Sequence, residues 1–125
     1  MLFRSIGYGL IQLVRGSAVS DTTLVDFAIT SGIATAFERD LTQATPPWGD
    51  YPSDVSTWTS ELLSLPPDAD KTAWMYRHPD GRRWIGPKVG TYLVDRASRA
   101  SQKPVAVLAT LSSDDVVRLA LGTTR

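Results

Sequence analysis

His78 is the only imidazole in this chain of 125 residues, and there is no cysteine. Ordinary zinc centres combine imidazole, thiolate and carboxylate ligands in sets of three or four, and one His without a thiolate falls short of that. His78 also opens the run His78-Pro79-Asp80-Gly81, in which Pro fixes one backbone dihedral and Gly accepts a positive one, so the chain is expected to reverse there. Asp114 and Asp115 form an acidic pair, but they fall in the first turn of an expected helix, where carboxylates cap and meet the helix dipole. Trp48, Tyr51 and Trp58 could line a partner surface, yet aromatic rings beside prolines are expected to serve as lids on a core. Between Arg77 and Lys103 lie seven basic residues (Arg77, Arg82, Arg83, Lys88, Arg96, Arg99 and Lys103) against two acidic ones, Asp80 and Asp95. A phosphate-binding stripe interleaved with Trp84 and Tyr92 is conceivable, but no nucleic-acid motif frames it. The expectation is a solvated face, no nucleic-acid partner, and a peptide or protein as the remaining partner class.

The elements that must carry these residues read as helices. Ile6, Leu10, Ile11, Leu13 and Val14 suit a short helix that Gly16 ends. Ser20, Asp21 and Thr22 offer capping oxygens for a second helix running to about Leu41. Its apolar residues form two stripes: Leu24, Phe27, Ala28 and Ser31 on one side, Val25, Ile33, Ala36, Phe37 and Leu41 on the other. A helix apolar on two sides belongs between neighbours. Pro46, Pro47, Gly49 and Pro52 make Thr42 to Pro52 an ordered loop. Ser53 is expected to cap a helix through Leu65 with Val55, Trp58, Leu62 and Leu63 inward, stopped by Pro66 and Pro67. A short helix follows near Asp68 to Tyr76. Ile85, Val89, Tyr92, Leu93 and Ala97 repeat at helical spacing, with Pro87 in the first turn and Asp95 four residues before Arg99. Lys103 to Thr110 suits a shorter helix. Ser112 and Asp115 imitate a capping box that opens Val116 to Leu121, ended by Gly122.

These readings give an all-α single domain of five or six helices. Composition agrees: 42% apolar and 21% charged residues are ordinary for a globular chain, and a domain of this length buries roughly two-thirds of its unfolded surface. Thirteen basic and thirteen acidic residues cancel, so no overall field draws the chain to polyanions. No window is long and apolar enough to span a membrane, and no leader is visible. The default location is cytoplasmic, with an upstream signal left open. Leu2-Phe3-Arg4-Ser5 reads like a translated adapter, so residues 1–5 are taken as a non-native start and 6–125 as the domain.

Three stretches together resemble a bacterial family of unnamed function described as predicted zinc-dependent proteases. They are Thr23-Leu24-Val25-Asp26 through Gly32-Ile33-Ala34, then Trp74 through Gly86, then Val89 through Ala97. With the Ser112 to Leu121 ending, the likeness covers most of the chain from about residue 8. The resemblance implies the helical C-terminal half of a gluzincin-like metallopeptidase. In that class H-E-x-x-H on one helix supplies two His ligands and a general base, and a Glu from the next helix completes the zinc site. Residues i and i+4 share a helix face, so two imidazoles reach one ion while the Glu between them activates its water.

Residue by residue, the resemblance sets Tyr8 and Gln12 where the two His would stand, Gly9 at the base, and Ser31-Gly32 where the family reads Glu-Gly or Asp-Gly. Glu38 shares the face of Ser31 but lies two turns on, about 10 Å along the axis, too far to replace a ligand about 2 Å from zinc. Tyr92 could line a pocket, as phenols stabilise oxyanions elsewhere. The expectation is a degenerate or truncated zinc-protease-like domain without catalytic residues or cofactor, zinc belonging to intact relatives. Two alternatives stand beside it: an active zinc peptidase with ligands upstream or misread here, and a small helical interaction module.

Overall fold

The computed structural model describes residues 23–122. The helix expected over Ile6 to Val14, the start at 1–5, and the positions Tyr8, Gly9 and Gln12 lie outside the described residues. Within them the architecture is all α, with six α-helices, one 3₁₀ turn and a single isolated β-bridge.

Helix α1, Leu24–Thr42, begins where the Thr23 hydroxyl accepts the Asp26 N–H at 3.1 Å. The capping residue is therefore Thr23 rather than the expected Ser20-Asp21-Thr22. From Ala28 to Ala36 every residue is buried, which fits a helix apolar on two sides. Leu41, expected inside, is 70% exposed, because the helix has run past its neighbours by then. The buried threonines owe their tolerance to local bonds: Thr35 Oγ1 donates to the Ser31 carbonyl at 2.8 Å, and Thr91 Oγ1 to that of Pro87 at 2.8 Å. A buried hydroxyl is inexpensive only when so satisfied.

Gln43 leaves α1 in the left-handed conformation, and the loop makes one 3₁₀ turn at Pro47–Gly49 that buries Trp48. Helix α2, Val55–Leu63, buries Val55, Thr59 and Leu62. Trp58 and Leu63 are only half-buried and pack on the core's edge. Helix α3 is one short turn, Lys71–Met75, capped by Asp70 through Thr72 and Ala73.

Helix α4, Ile85–Ser101, is the partner of α1 along most of its length. Ile29 and Ile33 of α1 and Ile85, Val89, Leu93 and Val94 of α4 are fully buried. Burying side chains of this kind stabilises by roughly 1.5–3 kcal/mol each. Only Val105–Leu108 of the expected 103–110 helix forms, as α5. Helix α6, Ser113–Leu121, starts as expected with Ser112 Oγ accepting the Asp115 N–H at 3.1 Å and ends at Gly122, φ 69°. The Asp115 carboxylate turns to Arg118 at 2.9 Å, so the described bonds show the forward half of the capping box.

Candidate functional site

The α1–α4 contact contains the one described position of the suspected metal motif. Gly32 and Gly90 face each other across it. A methyl group on Gly32 would collide with the Gly90 carbonyl and lie 2.6 Å from the Thr91 nitrogen; one on Gly90 would strike the Ala28 carbonyl. Backbone therefore lies on backbone, an approach that only glycine at both positions allows. Ser31, adjacent to this contact, is 1% exposed. Its Oγ is sealed from solvent without a hydrogen-bond partner among the described residues.

A zinc ion does not fit the donors on the described side. A neutral serine hydroxyl is a poor substitute for the carboxylate that the resemblance sets at this position. Among the described residues no group of three His, Cys, Asp or Glu side chains converges. Glu38 is buried two turns from Ser31 on the same helix, and His78 belongs to a separate hairpin.

Tyr92, the expected pocket residue, sits half-buried and edge-on to Tyr51, with ring centroids 5.5 Å apart. The Arg96 guanidinium lies 5.7 Å from the Tyr92 centroid. Tyr51 donates its phenol to Asp95 Oδ2 at 2.8 Å, and Arg39 grips the same carboxylate with two bonds of 3.0 and 2.7 Å. Asp95 thus pairs with α1 rather than with Arg99, the expected partner on its own helix. The geometry explains the preference: a guanidinium fork matches a carboxylate edge to edge. The bond to Asp95 holds the Arg39 guanidinium above its usual range. Burial, then the bond to Asp95, raises the Tyr51 phenol. This cluster ties the Pro-rich loop to both long helices.

The second concentration of chemistry is the hairpin around the Pro-Asp-Gly turn. Gly81 adopts φ 98°, its N–H bonded to the His78 carbonyl at 3.0 Å, and Arg77 and Arg83 face each other as the β-bridge. His78 Nδ1 accepts the Asp80 N–H at 3.2 Å, and its ring meets Trp74 edge-on at 4.7 Å. Arg82 reaches Asp80 through Nε at 2.9 Å and forks onto Glu61 of α2 at 2.9 and 3.2 Å. Its guanidinium carbon lies 5.1 Å from the Trp58 ring centroid and 5.8 Å from that of Trp74. The side-chain and backbone bonds from Arg82 lower the Asp80 carboxyl to about 2.

Trp84 leaves the hairpin at φ 56°, a conformation that costs a bulky residue energy and persists only when its surroundings enforce it. Here its N–H bonds to the Tyr76 carbonyl and its own carbonyl accepts from Lys88, both at 2.9 Å. One residue therefore closes the hairpin and opens α4.

The seven basic residues do not form one stripe. Arg82 is committed to Glu61 and Asp80, Arg96 donates Nε to the Ala120 carbonyl at 2.9 Å, and Lys88 lies over Trp58 and Trp84. The Arg39–Asp95–Tyr51 cluster and the pairing of Arg82 with Glu61 escape sequence reading, because their partners stand 21 to 56 residues apart. The sign of the charges was visible; the long-range pairing had no local signal.

Among the described residues no helix is long and apolar enough to cross a membrane. No known protein family, curated protein or solved structure matches the chain.

Proposed function

We propose that this chain is a degenerate or truncated zinc-protease-like helical domain that performs no peptidase chemistry itself and acts by binding a peptide or protein. The observation that carries this reading is Ser31. At the position where the resembling family supplies its last zinc ligand, the chain has a short neutral hydroxyl, sealed from solvent beside the Gly32–Gly90 contact. The substitutions at Tyr8, Gly9 and Gln12 point the same way from sequence, since two imidazoles and a base are what metal-assisted hydrolysis requires.

A helical interaction module unrelated to proteolysis is the second reading. The backbone approach of Gly32 and Gly90 favours it, because close packing there is sufficient reason for small residues without any lost site.

Metal content separates the two. The native chain and a Tyr8→His, Gly9→Glu, Gln12→His, Ser31→Glu variant are equilibrated with zinc, freed of excess and assayed by elemental mass spectrometry. We expect an empty native chain and a variant that retains a single zinc and melts higher with it, since a ligand bound only to the folded state stabilises that state. An empty but folded variant would favour the unrelated module. Stoichiometric zinc in the native chain would overturn the non-catalytic reading and restore the active peptidase.

A further inference from the structure

The hairpin carries a feature that its internal contacts do not use. The bonds His78 N–H to the Arg82 carbonyl and Trp84 N–H to the Tyr76 carbonyl, both 2.9 Å, flank the bridge pair Arg77 and Arg83. In this antiparallel pattern the paired residues exchange no hydrogen bond with each other, their α-carbons stand about 4.5 Å apart, and their own N–H and C=O groups turn outward. Neither Arg77 nor Arg83 enters a backbone hydrogen bond or an ion pair among the described residues, and both are exposed. Two like charges directly opposite each other destabilise a pair. The arrangement is thus a bridge with one open edge on each strand and two adjacent unneutralised guanidinium groups on one face, while Arg82, on the other face, is engaged by Glu61 and Asp80.

We propose that an open edge of this hairpin binds an acidic segment of another protein in extended conformation, which pairs with the outward peptide groups of Arg77 or of Arg83 and sets carboxylates against both side chains. Successive side chains of an added strand alternate faces, so every second residue of the incoming segment falls on the arginine face. A carboxylate there satisfies the guanidinium fork and relieves the repulsion between the two arginines. A nucleic acid fits less well: it would find two free cations here, against the 6–10 or so phosphate contacts of a tightly held duplex, and it has no use for a peptide edge. Trp84, held in its left-handed conformation, fixes where Arg83 stands; the Arg83 guanidinium carbon lies 5.9 Å from the Trp84 ring centroid. The hairpin and the Ser31 position are on different elements, so this inference does not depend on the loss of a metal site.

The test is fluorescence anisotropy of a labelled peptide of alternating glutamate and threonine added to the full chain. The double variant Arg77→Gln, Arg83→Gln changes only exposed side chains and keeps its fold by circular dichroism. Arg99→Gln, Lys103→Gln serves as a charge-matched control away from the hairpin. We expect saturable binding to the native chain, weakened about tenfold or more in the hairpin variant and unchanged in the control. The same loss is expected for a peptide N-methylated at every residue, which keeps its charge but has no N–H with which to pair as a strand. Equal loss in the control, equal binding of the N-methylated peptide, tighter binding of oligothymidylate, or no saturable binding would each overturn the proposal. So would self-association that the hairpin variant abolishes, since the edge would then belong to a second copy.

Discussion

The α1–α4 contact and the 76–84 hairpin are held by opposite means. At the first, Gly32 and Gly90 bring backbone onto backbone within a shell of fully buried Ile, Val and Leu side chains. At the second, a single bridge is surrounded by charges and rings, with Arg82 bound to two carboxylates and lying over Trp58 and Trp74. Close packing admits one arrangement and tolerates almost no added volume. A cluster of partly solvated charges is replaceable member by member and depends on pH and salt. The close-packed contact beside Ser31 is therefore the rigid region, and the region with unused bonding capacity is the adaptable one.

The sharpest break in this comparison is Gly90→Ala. Its new methyl would meet the Ala28 carbonyl, which is backbone of a buried helix and cannot swing away. We expect a loss of about 3 kcal/mol in denaturant unfolding. Gly86→Ala sharpens the point, because there the methyl meets chiefly Met75 Sδ in a flexible side chain, and about 1 kcal/mol should suffice. Similar losses in the two variants would refute the claim that α1 and α4 lock through their backbones.

Next in size is Asp95→Asn, which keeps the shape but removes the charge that Arg39 and Tyr51 share. Asp95 is 12% exposed and Arg39 27%, so the pair is partly screened, and about 2 kcal/mol is expected. The phenol provides an independent reading. Its pKa in the folded chain is raised from 10.0, first by burial and then by Asp95. A raised acid contributes stability in full below its unfolded value, and that stability is lost as pH rises through the folded value. The native chain should therefore weaken above pH 10.0, and Asp95→Asn should bring the phenolate absorbance midpoint down part of the way. An unshifted midpoint would show that the bond from Tyr51 to Asp95 does not perturb the phenol in solution.

Helix type and most helix positions were legible because the signals are local. Ser112 three residues before Asp115 announced α6, and the spacing of Ile85, Val89, Leu93 and Ala97 announced α4. Leu41 shows the limit: periodicity marks a helix face but does not say where the neighbour ends, and this residue lies beyond the packed length. The β-bridge was hidden because its residues, Arg77 and Arg83, have no alternating apolar pattern and are joined by the Pro-Asp-Gly turn alone. At Ser31 sequence supplied the residue type, whereas the burial of its hydroxyl and the neighbouring Gly32–Gly90 approach, between residues 58 apart in the chain, have no local signal.

The smallest expected effect probes the adaptable region through acid. Arg82 lowers the Asp80 carboxyl from 3.8 to about 2, first through its side chain and then through its backbone N–H. For a depressed carboxylate the sign is the reverse of that for Tyr51. Its stabilisation is present in full above the unfolded value of 3.8 and disappears as pH falls through about 2. The stability difference between the native chain and Asp80→Asn should therefore shrink as pH falls from 3.8 and vanish below about 2, in denaturant melts followed by tryptophan fluorescence. Because the carboxylate is open to solvent, added salt should shrink the difference. A difference that persists unchanged at the acid end would mean that the Asp80 side chain acts through its turn geometry and not through its charge. The hairpin would then owe its shape to the Pro-Asp-Gly backbone, leaving Arg82 to hold it against α2 through Glu61.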